Sequence, residues 1–196
     1  PMLPVRDVRR IVLPHARVFD SLGMDAALLT VLGLAAIAVR GLHTLRVDKE
    51  GHGREHLADD LDVSRPVGWF TILYPLVLRL DRDPATCLHR TQALLEALPP
   101  GAGFAYWRQH HASHVASPFV VNYLGEGHDW GRSASQRQGH NQQQEHEHCL
   151  NVVRVGVDDL AVSWSMACAD DADRWEAAFV AEAAVVATLS AVSPPS

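Results

Sequence analysis

The chain reads as a two-layer α/β sandwich, a mixed sheet covered by helices. Three observations predict it. Short stretches that alternate apolar and polar residues, or run apolar and β-branched, recur along the chain. Between them lie segments with apolar residues at helical spacing. The chain's 196 residues are 47% hydrophobic and 20% charged, which suits one globular domain with a real core.

Val5–Leu13 alternates loosely and predicts a strand. Leu22–Arg40 is apolar nearly all round and is followed by Gly41, a natural residue after a helix end, so it predicts a buried helix. Its charge-free core, Ala26–Val39, is too short to span a bilayer and is closed by Asp25 and Arg40. His43–Glu50 predicts a strand with Leu45 and Val47 on one face and Asp48 and Glu50 on the other. Arg54–Arg65 is a charged loop. Val67–Leu80 predicts a strand pair or bent strand, and Pro75 within it demands an edge or a bulge.

Asp83 followed by Pro84 marks a helix start, and Asp83–Leu98 repeats apolar residues at helical spacing until Pro99-Pro100-Gly101. Phe104–His111 predicts a short helix and Pro118–Leu124 a strand. Residues 126–145 are rich in glycine and glutamine and predict a flexible loop. Leu150–Val157 and Ala161–Ala167 flank Asp158-Asp159 as a hairpin. Asp171–Ser190 predicts a final amphipathic helix. The order is β-α-β-β-α-(α)-β-β-β-α, in a single domain over residues 1–196.

Composition narrows the function. The formal charge is −6, from 17 Lys and Arg against 23 Asp and Glu, and no basic face is visible, so nucleic acid is not an expected partner. Lys49 is the only lysine. No signal-peptide pattern opens the chain, and three scattered cysteines suit a reducing, cytoplasmic setting. Pro1-Met2 looks like the scar of a cleaved tag, which makes Met2 the expected natural start. Of 12 histidines, 7 lie between His110 and His148. His146 and His148 share a face of an extended segment, but the run has no C-x-x-C or H-x-x-x-H partner, so no metal site is expected. The sequence holds no G-x-S-x-G, no G-x-G-x-x-G and no P-loop.

Four short motifs stand in order: EGHGRE over Glu50–Glu55, VGWFT over Val67–Thr71 with Tyr74-Pro75, PGAGF over Pro100–Phe104, and NYLG over Asn122–Gly125. Together they resemble the C-terminal lobe of a nonribosomal peptide synthetase epimerisation domain. Such domains belong to the condensation-domain superfamily and are built of two lobes like chloramphenicol acetyltransferase. The resemblance covers roughly Asp25 to Leu189. The family's HHxxxD motif, carried by the N-terminal lobe, is not matched: His110-His111 is followed by Val115 where its Asp would fall. Val121 stands where the family usually has Phe before NYLG.

The resemblance implies what these residues do. Epimerisation removes the Cα proton of an aminoacyl or peptidyl thioester and returns it on the other face, so the site needs acid/base groups and a stabiliser for the enolate oxygen. By position Glu50 carries over as a proton-transfer group. His52 is a second candidate, set against a solvent-facing turn. Glu50 itself is set against a simple brace to Arg54. Trp69, Phe70 and Tyr74 are candidate floor residues of the substrate tunnel, set against plain core aromatics. Asn122 and Tyr123 are candidate substrate contacts, set against strand capping. The implied substrate is tethered to phosphopantetheine on a carrier protein, and no cofactor of the chain's own is implied.

Three readings follow. One is a stand-alone half-size enzyme of natural-product biosynthesis, epimerase-like or cyclase-like. It would be completed by further copies of itself or a partner, because the apolar face around Trp69, Phe70 and Tyr74 needs a cover; a homo-oligomer is the simplest. The second is a non-catalytic module that docks a carrier protein or a partner synthetase. The third is a fragment of a larger synthetase.

Overall fold

A computed structural model describes residues 7–51, 71–110, 112–127 and 146–189. Among them are six strands: β1 (Asp7–Leu13), β2 (Thr44–Gly51), β3 (Ile72–Arg79), β4 (Phe119–Glu126), β5 (His148–Val155) and β6 (Asp159–Met166). The helices are α1 (Ala16–Leu22), α2 (Met24–Arg40), α3 (Pro84–Glu96), α4 (Ala102–His110) and α5 (Ala172–Val186).

The strands form one mixed sheet in the order β1-β6-β5-β4-β2-β3. β4 runs parallel to both β2 and β5, and the remaining pairs are antiparallel. The predicted sandwich is therefore present, with β5 and β6 as the predicted hairpin. β3 is an edge strand, which satisfies the demand of Pro75: a residue with no N–H to donate costs nothing on the open side.

Strand alternation decides what the sheet gives to the core. Leu45 and Val47 of β2, Tyr74, Leu76 and Leu78 of β3, Phe119 and Val121 of β4, and Leu150 and Val152 of β5 all join the helix-facing core. α2 crosses this face almost wholly buried, from Met24 through Ala36. α5 packs on α2 and reaches β1, and α3 packs on α2 and β3. Trp164, Trp175, Phe179 and Phe119 form a buried aromatic cluster, joined by the His148 ring stacked on Phe119 at 4.4 Å.

The long apolar stretch departs from the single helix predicted over Leu22–Arg40. It starts earlier, as α1, and turns by 103° into α2 at Gly23, whose φ of 83° is open to glycine. No single helix among the described residues is long and apolar enough to cross a membrane. At the other end Gly41 sits in the left-handed region and its N–H bonds the Ile37 carbonyl, as the sequence predicts. Asp83 caps α3 by accepting from the Thr86 N–H at 2.8 Å, with Pro84 in the first turn. Of the loop predicted over residues 126–145, Glu126 closes β4, and residues 128–145 lie outside the described residues.

Candidate functional site

The parallel strands β2 and β4 pair only from Val47 opposite Phe119 to Lys49 opposite Val121. Beyond that point they part. Glu50 and Gly51 stay with β3, opposite Leu73 and Ile72, while Asn122 and Tyr123 stay with β5, opposite Asn151 and Val152. β4 then loses its regular register between Tyr123 and Glu126, around Gly125 with φ 75°. The gap between the two strand ends is a cleft of about 510 Å³. It is lined by Asp25, Lys49, Glu50, Gly51 and Thr71 on one side and Asn122, Tyr123, Leu124 and Gly125 on the other. Clefts at the carboxyl ends of separating parallel strands are a general place for ligands, because the chain leaves an opening there without breaking the core.

Glu50 is half-buried at this wall. Burial pushes its carboxyl above the ordinary value near 4.5, while a hydrogen bond with Thr71 and the charge of Lys49 pull the other way. A carboxyl held back from ionising by its surroundings is suited to carry a proton in and out. Lys49 bridges to Asp25 at 3.0 Å, tying the end of β2 to the start of α2. Tyr123 is half-buried, and burial also pushes its phenol upward, with Asp20 adding to the effect.

The structure thus brings together Glu50, Asn122 and Tyr123 of the residues singled out in the sequence. Tyr74 goes elsewhere. It sits opposite Lys49 on the helix-facing side of β3, is 9% exposed, and lies beneath α4 with ring atoms close to Gly103. Its place is the core, as alternation along β3 dictates, and it does not line the cleft. His52, Arg54, Trp69 and Phe70 lie outside the described residues.

Sequence reasoning did not place Asp25, Lys49 and Thr71 in the site. For Lys49 a signal existed: it follows Leu45 and Val47 at the same alternation, on the face of β2 that points into the core. A second group was also missed. Asp48 is wholly buried and accepts from His114 Nε2 at 2.9 Å and from the Ser117 N–H at 3.0 Å and the Ser117 hydroxyl. His114 Nδ1 in turn meets the Tyr106 hydroxyl at 3.0 Å, and His146 Nδ1 meets the Ser117 carbonyl at 2.8 Å. This network occupies the far side of β2 from Lys49 and pins the segment leading into β4. The two histidines read in the sequence as neighbours on one face therefore part: His146 bonds Ser117, and His148 stacks in the aromatic core. Among the described residues no group of three or more His, Cys, Asp or Glu is arranged to hold a metal ion.

The same fold occurs in the crystal structure of the epimerization domain from the third module of tyrocidine synthetase B, with a TM-score of 0.67 at 20% identity, covering 93% of this chain and 49% of that one. The starter condensation domain of rhizomide synthetase matches with a TM-score of 0.64 at 12% identity, over 95% of this chain and 47% of that one. The chain thus has the fold of one lobe of these epimerization and condensation domains.

In sequence the chain is similar to short stretches of nonribosomal peptide synthetases. The chain is 37% identical to bacitracin synthase 3 of Bacillus licheniformis over 132 residues, 63% of this chain and 2% of that protein. It is 51% identical to surfactin synthase subunit 1 of Bacillus subtilis (strain 168) over 114 residues, 53% of this chain and 3% of that protein. The chain therefore spans about half of the solved domains it matches and a few per cent of these synthetases. No protein-family model matches it.

Proposed function

We propose that the chain transfers a proton through Glu50 at the Cα of a carrier-bound aminoacyl or peptidyl thioester in natural-product biosynthesis. The observation that carries this reading is the position of Glu50: the first residue of the EGHGRE motif, half-buried at the wall of a cleft that Asn122 and Tyr123 also line. In the step proposed, the Cα–H bond breaks, the proton passes to the Glu50 carboxylate, and the electron pair moves onto the thioester carbonyl as an enolate. Return of a proton to Cα from the Glu50 carboxyl, after its exchange with solvent, regenerates the thioester and the carboxylate. Asn122 has an amide that can donate to a carbonyl oxygen, and Tyr123 a hydroxyl that can do the same.

The substrate arm is phosphopantetheine, which belongs to the carrier and not to this chain. A carrier protein or synthetase partner is the matching company, and the cytoplasm the matching location. A second copy of the chain, or a partner lobe, would close the open side of the cleft beside Leu124, which is 50% exposed. The test follows solvent deuterium into Cα of an aminoacyl thioester loaded on a carrier protein. Uptake by the wild type and none by Glu50→Gln is the expected result. Uptake by Glu50→Gln at the wild-type rate overturns it. The exposed Leu124 rim also favours a second reading, a module that docks a carrier without chemistry; tight carrier binding with no uptake by the wild type selects that one.

A further inference from the structure

Lys49 breaks the pattern of its own strand. Leu45 and Val47, four and two residues earlier on the same face of β2, are 3% and 0% exposed core residues. Its cross-strand neighbours, Tyr74 on β3 and Val121 on β4, are buried as well. An apolar side chain would continue the core there. The chain instead places its only lysine at this point, in a protein whose other cations are all arginine. A local rule broken inside a cleft marks a functional position more often than a structural one.

The geometry favours a role toward a ligand. The Lys49 side chain is 16% exposed, its ammonium 3.0 Å from Asp25 Oδ2 and 3.5 Å from the Glu50 carbonyl oxygen. Asp25, its counter-ion, is the more exposed partner at 41%. The cation thus lines the cleft bridged to one carboxylate, with donor capacity left over, since an ammonium has three N–H groups. A partly desolvated, pre-oriented cation interacts strongly with negative charge that develops beside it. Lysine suits this better than arginine, because it presents one compact charge.

We propose that Lys49 is the anion-stabilising group of the cleft, the donor to the enolate oxygen of a thioester deprotonated at Cα. The proposal rests on the Glu50 proton-transfer reading for the identity of the anion. It divides the cleft between two adjacent residues: Glu50 takes the proton, and Lys49 receives the negative charge left behind.

The sole lysine supplies its own reporter. In protein labelled with 13Cε-lysine, one side-chain signal reports Lys49. The probes are N-acetylalanine, whose planar carboxylate mimics the enolate, and N-acetylalanine amide, its neutral isostere. The carboxylate should shift the signal and bind about tenfold more tightly than the amide. Binding of both probes to unlabelled Lys49→Met, followed by backbone NMR, should show that preference gone. Lys49→Arg and Asp25→Asn, which both keep the cation, should retain it. Equal binding of the two probes by the wild type, or a preference undiminished in Lys49→Met, overturns the proposal. Deuterium uptake that depends on Glu50, alongside no role for Lys49, overturns this inference and leaves the proton-transfer reading standing. A Lys49-dependent preference with no uptake by the wild type supports Lys49 as the anion site and overturns the Glu50 reading instead.

Discussion

Ser117 satisfies Asp48 twice, once through its hydroxyl and once through its backbone N–H at 3.0 Å, across 69 residues of sequence. His114 adds a third bond at 2.9 Å. A fully buried carboxylate is tolerated only when its lone pairs are filled in this way, and this one ties the middle of β2 to the entrance of β4. The strands that frame the cleft are held together just below the point where they part.

Asp48→Ala removes the acceptor and leaves the two buried Ser117 donors and the half-buried His114 Nε2 without it. The expected cost is about 3–5 kcal/mol, the range for breaking a buried, hydrogen-bonded charged group by deleting one partner. Urea denaturation checks it. A loss under 1 kcal/mol would show that the network contributes little.

Glu50→Gln should abolish deuterium uptake and also change how stability depends on pH. The folded protein holds the Glu50 proton to higher pH than the unfolded chain, whose value is near 4.5. Between the two values the folded state binds more protons, so stability from this group falls as pH rises through that window. Below it the contribution is fully present. The wild type should therefore lose stability relative to Glu50→Gln on going from about pH 4 to pH 7. Paired thermal melts across that range measure it, and a difference that moves the opposite way would contradict the buried placement of the carboxyl.

Gly103→Ala sets two effects against each other. Alanine raises helix propensity in α4 by about 1 kcal/mol. Its Cβ, however, would stand 2.7 Å from Ile72 Cδ1 and 2.7 Å from Tyr74 Cδ1. The Ile72 methyl can swing aside, but the Tyr74 ring is rigid and buried, and overpacking of this kind costs about 1–3 kcal/mol. The clash should win, with a net loss of about 1 kcal/mol by chemical denaturation.

Thiol chemistry should single out one cysteine. Cys87 and Cys149 are buried and Cys168 is exposed. Burial also pushes the Cys87 thiol upward, which suppresses the reactive thiolate. A water-soluble aromatic disulfide should modify Cys168 rapidly in the native protein and all three only after unfolding. Fast reaction of Cys87 in the native state would place it at the surface.

The sequence by itself determined the elements wherever a local signal was complete. The Asp83-Pro84 cap, the Gly41 helix end, the edge position of Pro75 and the β5–β6 hairpin all follow from chemistry within a few residues. The four motifs likewise pointed to the fold shared with epimerization and condensation domains, and Glu50, Asn122 and Tyr123, which they singled out, line one cleft. Tertiary structure decided the rest. Asp48 and Glu50 look alike in the alternation of β2, two acids on one face, yet one is sealed under His114 and Ser117 and the other opens on the cleft. Tyr74 and Lys49 look unlike, an aromatic and a charge, yet they are cross-strand neighbours, one in the core and one at the cleft. The reason is physical. Alternation fixes only the face on which a side chain lies. What covers that face comes from segments up to 69 residues away, here the approach to β4 and the start of α2, and that long-range packing assigns each carboxylate its environment and its chemistry.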